Sequence, residues 1–275
     1  MNTPVRRIIK KVQLLIGVFD SGLGGLTVAR ELIRELPDYS LIYFGDTARS
    51  PYGSKSAATV IRYSIANANF LLDRGAQLIV VACNTASSLA TSALKERFSV
   101  PIFEVISPAV QMVVSNRKSY RVGIIGTRAT VNSGVYEQKI RSFRPEIKVL
   151  SNACPLLVPL VEEGWIKKPE TRRIVKKYLH PLKMRQIDTL ILACTHYPLL
   201  KDIIQAKIGK RVKIIDSSQA IARDVKKFIE QHPEIKDRLD KRGQYQIYVS
   251  DVTEHFQEMA DTILKNRVTL KRISI

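Results

Sequence analysis

Two cysteines occupy nearly the same local setting far apart in the chain, in Ala82-Cys83-Asn84-Thr85 and Ala193-Cys194-Thr195-His196. Each closes a short apolar run and precedes polar residues, which places a thiol where a buried strand would end. A thiolate and a thiol on opposite sides of one carbon can remove a proton from one face and deliver another to the opposite face. The pair would thereby invert a stereocentre and exchange roles for the return reaction. An unperturbed cysteine, with a pKa of about 8.5, is mostly protonated at neutral pH, so neighbouring groups must assist. Asp20, directly after the first apolar run, is the candidate on the Cys83 side; Glu162 and His196 are the candidates on the Cys194 side. A cysteine at a strand end is ordinarily a small buried hydrophobe, and Cys154, in Ala153-Cys154-Pro155-Leu156, reads that way. His196 is the one histidine beside a cysteine, whereas His180, His232 and His255 read as helix or surface positions.

Two loops sit beside these thiols in the pattern. Asp20-Ser21-Gly22-Leu23-Gly24-Gly25 joins an apolar run to a helical pattern, and Asp46 follows the next run where a ribose-binding acid would stand. The dinucleotide fingerprint needs a third small residue where Thr27 lies, so a nicotinamide oxidoreductase is disfavoured. The turn reads instead as a place where free backbone N–H groups and a helix N-terminus hold a substrate carboxylate. In Asp46-Thr47-Ala48-Arg49-Ser50-Pro51-Tyr52-Gly53, Tyr52 and the Gly53 backbone are candidate substrate contacts. Asn84, Thr85, Thr127 and Thr195 add neutral donors and acceptors at strand ends, which suits a small zwitterion bearing carboxylates.

The elements that must position these groups alternate along the chain. Strands are expected at residues 14–19, 41–45, 78–82, 121–125, 147–150, 189–193 and 212–215. Helices are expected at 26–36, 55–74, 86–98, 130–144, 170–184, 199–208 and 219–231. This alternation predicts an α/β fold of parallel sheets covered by helices. Ile16-Gly17-Val18-Phe19-Asp20-Ser21 matches Val122-Gly123-Ile124-Ile125-Gly126-Thr127, and the two cysteine segments match with nearly the same separation. Two similar, mainly parallel-sheet α/β domains related by pseudo-symmetry follow. Ligands of open α/β sheets bind beyond the carboxyl ends of the strands, so an active site is expected in the cleft between the domains.

The chain has 275 residues, 45% of them hydrophobic, enough to bury one large core or two smaller ones. No apolar stretch approaches the length of a membrane span, and the basic residues 6–11 read as a tail before the first buried strand rather than a signal peptide. Three cysteines make no disulfide framework and fit a reducing cytoplasm; no C-x-x-C zinc pattern occurs. A net charge of +19, from 44 basic and 25 acidic residues, would attract nucleic acid non-specifically. The basic residues are scattered over what read as solvated helix faces, so nucleic-acid contact is not expected as the main role.

The motifs together resemble those of glutamate racemase, within the aspartate/glutamate racemase superfamily. The resemblance rests on Phe19-Asp20-Ser21-Gly22-Leu23-Gly24-Gly25-Leu26-Thr27-Val28, the 46–53 loop, Ala82-Cys83-Asn84-Thr85-Ala86-Ser87, Gly126-Thr127-Arg128-Ala129-Thr130, Cys154-Pro155-Leu156 with Pro159-Leu160-Val161-Glu162, and Cys194-Thr195-His196-Tyr197-Pro198-Leu199. It implies that Cys83 and Cys194 are the acid/base thiols, assisted by Asp20, Glu162 and His196. Substrate binding would fall to Asp20, Ser21, Tyr52, Gly53, Asn84, Thr85, Thr127, Thr195 and His196. It further implies D-glutamate supply for peptidoglycan, a bacterial cytoplasmic setting, no cofactor or metal, and a homodimer. The C-terminal segment would return to complete the first domain, giving domains of residues 1–107 plus 217–275 and 108–216. Aspartate or another acidic amino acid is the alternative substrate, and contact with DNA gyrase, linked to some members of the family, is the alternative use of the basic surface. Two departures stand out: Glu104 replaces a usual Gly and Ser107 a frequent acid, both at the expected crossover between domains.

Overall fold

The computed structural model describes residues 14–274, so the basic tail at 6–11 lies outside the described residues. Among the described residues ten strands form two separate sheets: β1 (Leu15–Asp20), β2 (Leu41–Gly45), β3 (Ala76–Val81), β4 (Ile102–Glu104), β5 (Arg121–Gly126), β6 (Lys148–Ala153), β7 (Thr189–Ala193), β8 (Lys213–Asp216), β9 (Tyr245–Val249) and β10 (Leu270–Arg272). The order is β10-β9-β2-β1-β3-β4 in one sheet and β6-β5-β7-β8 in the other, with every pairing parallel. The central strands β1, β2 and β7 are buried along their whole length, as apolar strands covered on both faces by helices must be.

In the first sheet the chain goes from β1 outward to β2 and then crosses to β3 on the other side. The second sheet repeats the manoeuvre from β5 to β6 and then to β7. The order therefore reverses between β1 and β3 and again between β5 and β7, the topological switch points where ligands of open α/β sheets bind. The two sequence matches are these same strand pairs, with Phe19 beside Val81 and Ile125 beside Leu192. Cys83 follows β3 and Cys194 follows β7, so each thiol stands at a switch point.

Several elements differ from the sequence reading. The expected helix 86–98 is two helices, Asn84–Leu89 and Thr91–Arg97, joined at Ala90. The expected helix 130–144 is divided by Gly134, which adopts a left-handed φ of 65° between Arg128–Asn132 and Val135–Phe143. Short helices Ile106–Val114 and Leu157–Glu162 were not anticipated, nor were β4, β9 and β10. β9 and β10 extend the first sheet beyond β2, and helix Ser217–Gln231 buries Ile221, Val225 and Ile229 with Leu26, Val28 and Leu32. Helix Ile106–Val114 packs Ile106, Val110 and Val113 against Val122, Ile124 and Tyr136 of the second half.

Glu104 ends β4 almost completely buried. Its carboxylate accepts the backbone N–H of Ile106 at 2.5 Å and of Ser107 at 3.0 Å, and also the Ser107 hydroxyl. Lys139, from helix Val135–Phe143, reaches Ser107 Oγ at 2.8 Å and Glu104 Oε1 at 3.8 Å. Glu104 thus ties the crossover to the second half through Ser107 and Lys139. Arg172, Arg173, Lys176 and Lys177 lie exposed on helix Pro169–Met184, a solvated face as expected. Among the described residues no helix is long and apolar enough to cross a membrane, and no cluster of three His, Cys, Asp or Glu could hold a metal ion.

Candidate active site

The carboxyl ends of the two sheets face each other across one narrow cavity, and both Cys83 and Cys194 line it. Cys83 caps helix Asn84–Leu89, and its thiol donates to Ser21 Oγ at 3.5 Å. Burial and then the nearby Asp20 charge push this thiol up to about 12, against the pull of the Ser21 hydroxyl and the Ala86 N–H. It is held as a proton donor. Cys194 meets different company. Its Sγ lies 3.8 Å from His196 Nδ1, and His196 Nε2 lies 3.1 Å from Glu162 Oε1, at the end of helix Leu157–Glu162. Burial disfavours the imidazolium, yet hydrogen bonds and charge from Cys194 and Glu162 outweigh it and hold the ring's pKa well above the ordinary histidine value. A cationic ring facing a sulfur favours the thiolate there and can return a proton to it.

Asp20 is fully buried behind the cavity. One carboxylate oxygen accepts backbone N–H groups from Gly22 at 3.1 Å and Gly25 at 2.9 Å, while the other accepts the Thr195 hydroxyl at 3.4 Å. Burial raises its pKa, opposed by the His196 charge and these N–H groups. The glycine-rich turn therefore does not offer those N–H groups to a substrate carboxylate, as the sequence suggested. Asp20, part of the chain itself, has already taken them. The turn instead provides closeness: a Cβ on Gly24 would stand 2.5 Å from two atoms of the His196 ring and 2.6 Å from Thr195 Oγ1. The glycine lets a ring from the second half rest against the first.

Of the other expected contacts, Ser21, Tyr52, Gly53, Asn84, Thr85, Thr127 and Thr195 line the same cavity, whereas Asp20 and Glu162 stand behind it. Thr85, Thr127 and Thr130 form a triangle of hydroxyls 3.0–3.3 Å apart that joins the two halves. The Tyr52 hydroxyl is taken up by residues outside the cavity lining, donating to Asp46 and accepting from Asn67 Nδ2 at 3.1 Å. Burial and the Asp46 carboxylate raise its pKa, so it stays a neutral phenol. Asp46, the imitation ribose acid, is consumed by Tyr52, Arg49 and Ser250. Cys154 is buried with its thiol toward the Asn152 carbonyl, in keeping with a packing role.

Sequence reasoning missed Thr130, Val158 and Tyr136. Val158 lines the cavity from the unanticipated helix, and the Tyr136 hydroxyl donates to Asn84 Oδ1 at 2.6 Å. The other end of that amide, Asn84 Nδ2, is buried with no partner among the described residues. No local signal marks Tyr136, because its significance lies in reaching the opposite half.

Known proteins are similar to this chain in sequence and in fold. A family model described as Asp/Glu/Hydantoin racemase matches residues 16–225. A glutamate racemase from Persephonella marina is 46% identical over 262 residues, spanning 94% of this chain and 97% of its own. The crystal structure of glutamate racemase isoform RacE1 from Bacillus anthracis is similar with a TM-score of 0.90 and 34% identity, over 96% of this chain and 98% of that one. Glutamate racemase from Francisella tularensis, crystallised in complex with D-glutamate, gives 0.87 and 36% over 95% and 98%. Similarity of this extent carries through both sheets and both thiol-bearing switch points, and the chain belongs to the Asp/Glu/Hydantoin racemase family.

Proposed function

We propose that this chain is a glutamate racemase that interconverts L- and D-glutamate with two thiols and no cofactor. The observation that carries the mechanism is the pair of strand-end cysteines lining one cavity from opposite sheets. The relatives' shared name and the D-glutamate held by the Francisella tularensis protein support the substrate.

Catalysis begins with a base on one face of Cα and an acid on the other. In one direction Cys194, relieved of its proton by His196, removes the Cα proton and leaves a planar carbanion whose charge spreads into the α-carboxylate. Cys83, kept protonated by burial and by Asp20, delivers its own proton to the opposite face. The product is the other enantiomer, with the proton now on Cys194 and the charge on Cys83. In the return direction Cys83 starts as the thiolate and takes the Cα proton, while protonated Cys194 delivers its own to the opposite face; the buried Asp20, whose charge raises the Cys83 thiol, favours uptake of the proton by that sulfur. Glu162 holds His196 in place and balances its charge. The reading extends to D-glutamate supply for peptidoglycan in a bacterial cytoplasm and to a homodimer, both supported by the family resemblance.

The test is circular dichroism of separate L-glutamate and D-glutamate solutions with purified protein, with and without pyridoxal phosphate. The reading expects the signal to decay to zero from either side, unchanged by the cofactor. A protein that leaves glutamate untouched while racemising aspartate would overturn the substrate assignment.

A further inference from the structure

Asn84 lies beside Cys83 and is 2% exposed, yet half of its amide is unused. Leaving a buried donor without a partner is costly, so its persistence in the cavity wall points to an acceptor that arrives with the ligand. Which half of the amide faces the cavity depends on Tyr136. This residue is 3% exposed, and burial together with the Glu104 and Cys194 charges keeps its hydroxyl protonated. Among the described residues, its proton has Asn84 Oδ1 at 2.6 Å as its acceptor. A flipped amide would donate to the phenol oxygen, stranding the phenol proton and turning a carbonyl toward the ligand. The hydrogen bond therefore selects the orientation with Nδ2 free.

Tyr136 makes this bond from the opposite half of the molecule, at the start of helix Val135–Phe143. Lys139, one turn further along, is fixed by Ser107 at 2.8 Å and Glu104 at 3.8 Å. Ser107 and Glu104 at the crossover thus anchor the helix that carries Tyr136. We propose that Tyr136 is a positioning residue whose hydroxyl fixes the Asn84 amide so that its –NH2 group, not its carbonyl, meets a carboxylate oxygen of the substrate. The assignment rests on the racemase reading above and deepens it, for it names the group that the site requires of its ligand.

Steady-state kinetics of the full chain with Tyr136→Phe, Asn84→Ala and the double variant test the assignment, with thermal melting as a check on folding. Tyr136→Phe should raise KM for both glutamate enantiomers about tenfold, with kcat within about threefold of wild type, because a binding donor is misdirected while the thiols are untouched. The double variant should be no worse than Asn84→Ala, since Tyr136 acts through Asn84. A merely structural tyrosine would give losses that add, and additive losses, or an unchanged KM in Tyr136→Phe, would overturn the proposal. Wild-type racemisation in the same assay separates failure of this assignment from failure of the racemase reading.

Discussion

Replacing Gly24 with alanine probes the coupling of the two halves at one atom. The added Cβ would lie 2.5 Å from His196 Nδ1 and Cε1, whereas unstrained carbon contacts begin at about 3.5 Å. The ring must therefore retreat by about 1 Å or the turn must open by as much. His196 is held on one side by Cys194 at 3.8 Å and on the other by Glu162 at 3.1 Å, so retreat breaks one contact or both. A misplacement of about 1 Å in a catalytic array costs roughly 100-fold in rate. Crowding in a packed region should also lower stability by about 1–3 kcal/mol, leaving the protein folded at room temperature. Initial rates by circular dichroism should fall about 100-fold in both directions, because the displaced ring serves the same sulfur whether it gains or loses a proton. A folded Gly24→Ala protein within about twofold of wild type would refute the claim that the turn exists to admit the ring.

Further outcomes follow from the same geometry. Glu162→Gln removes the charge paired with His196 and should lower kcat about 10–100-fold, most in the direction that starts with proton removal by Cys194, as initial rates from each enantiomer will show. Tyr52→Phe deprives Asp46 of a donor and Asn67 of an acceptor, so the denaturation midpoint should report a loss of about 1–3 kcal/mol. Its effect on KM should be small, because the hydroxyl is already engaged by Asp46 and Asn67. The Cys83 thiol keeps its proton to about 12 in the folded chain against an ordinary value of 9.0, so between these limits only the unfolded chain loses it. Stability should accordingly fall as pH rises above about 9, by up to about 1.4 kcal/mol per pH unit, and Cys83→Ala should remove that part of the slope in denaturant titrations.

The sheets were legible because β1, β2 and β7 are buried on both faces, and double burial leaves continuous apolar runs. The thiols were legible because polar residues follow each run at the strand end. What escaped was short or non-local. β4 and β10 have three residues each, too few for any periodicity, and β9 joins β2 from a segment about 200 residues away. Helix Leu157–Glu162 carries Pro159 in its first turns and offers no amphipathic stripe, so Val158 went unnoticed. The glycine-rich turn is plain in the sequence, but the fate of its N–H groups is not. Sequence shows that N–H groups are free of side chains nearby; it does not show that Asp20 folds back to take two of them. The phenol of Tyr52 and that of Tyr136 differ in the same way, since their partners are set by packing alone.

The most direct measurement follows the Cα proton in deuterated water with the wild type, Cys83→Ala and Cys194→Ala. NMR of each glutamate enantiomer should show wild-type protein producing the mirror image with solvent deuterium at Cα. Either variant should produce none, since a single sulfur cannot serve both faces of the carbon. Wild-type inversion by a protein lacking one of these sulfurs would contradict the account.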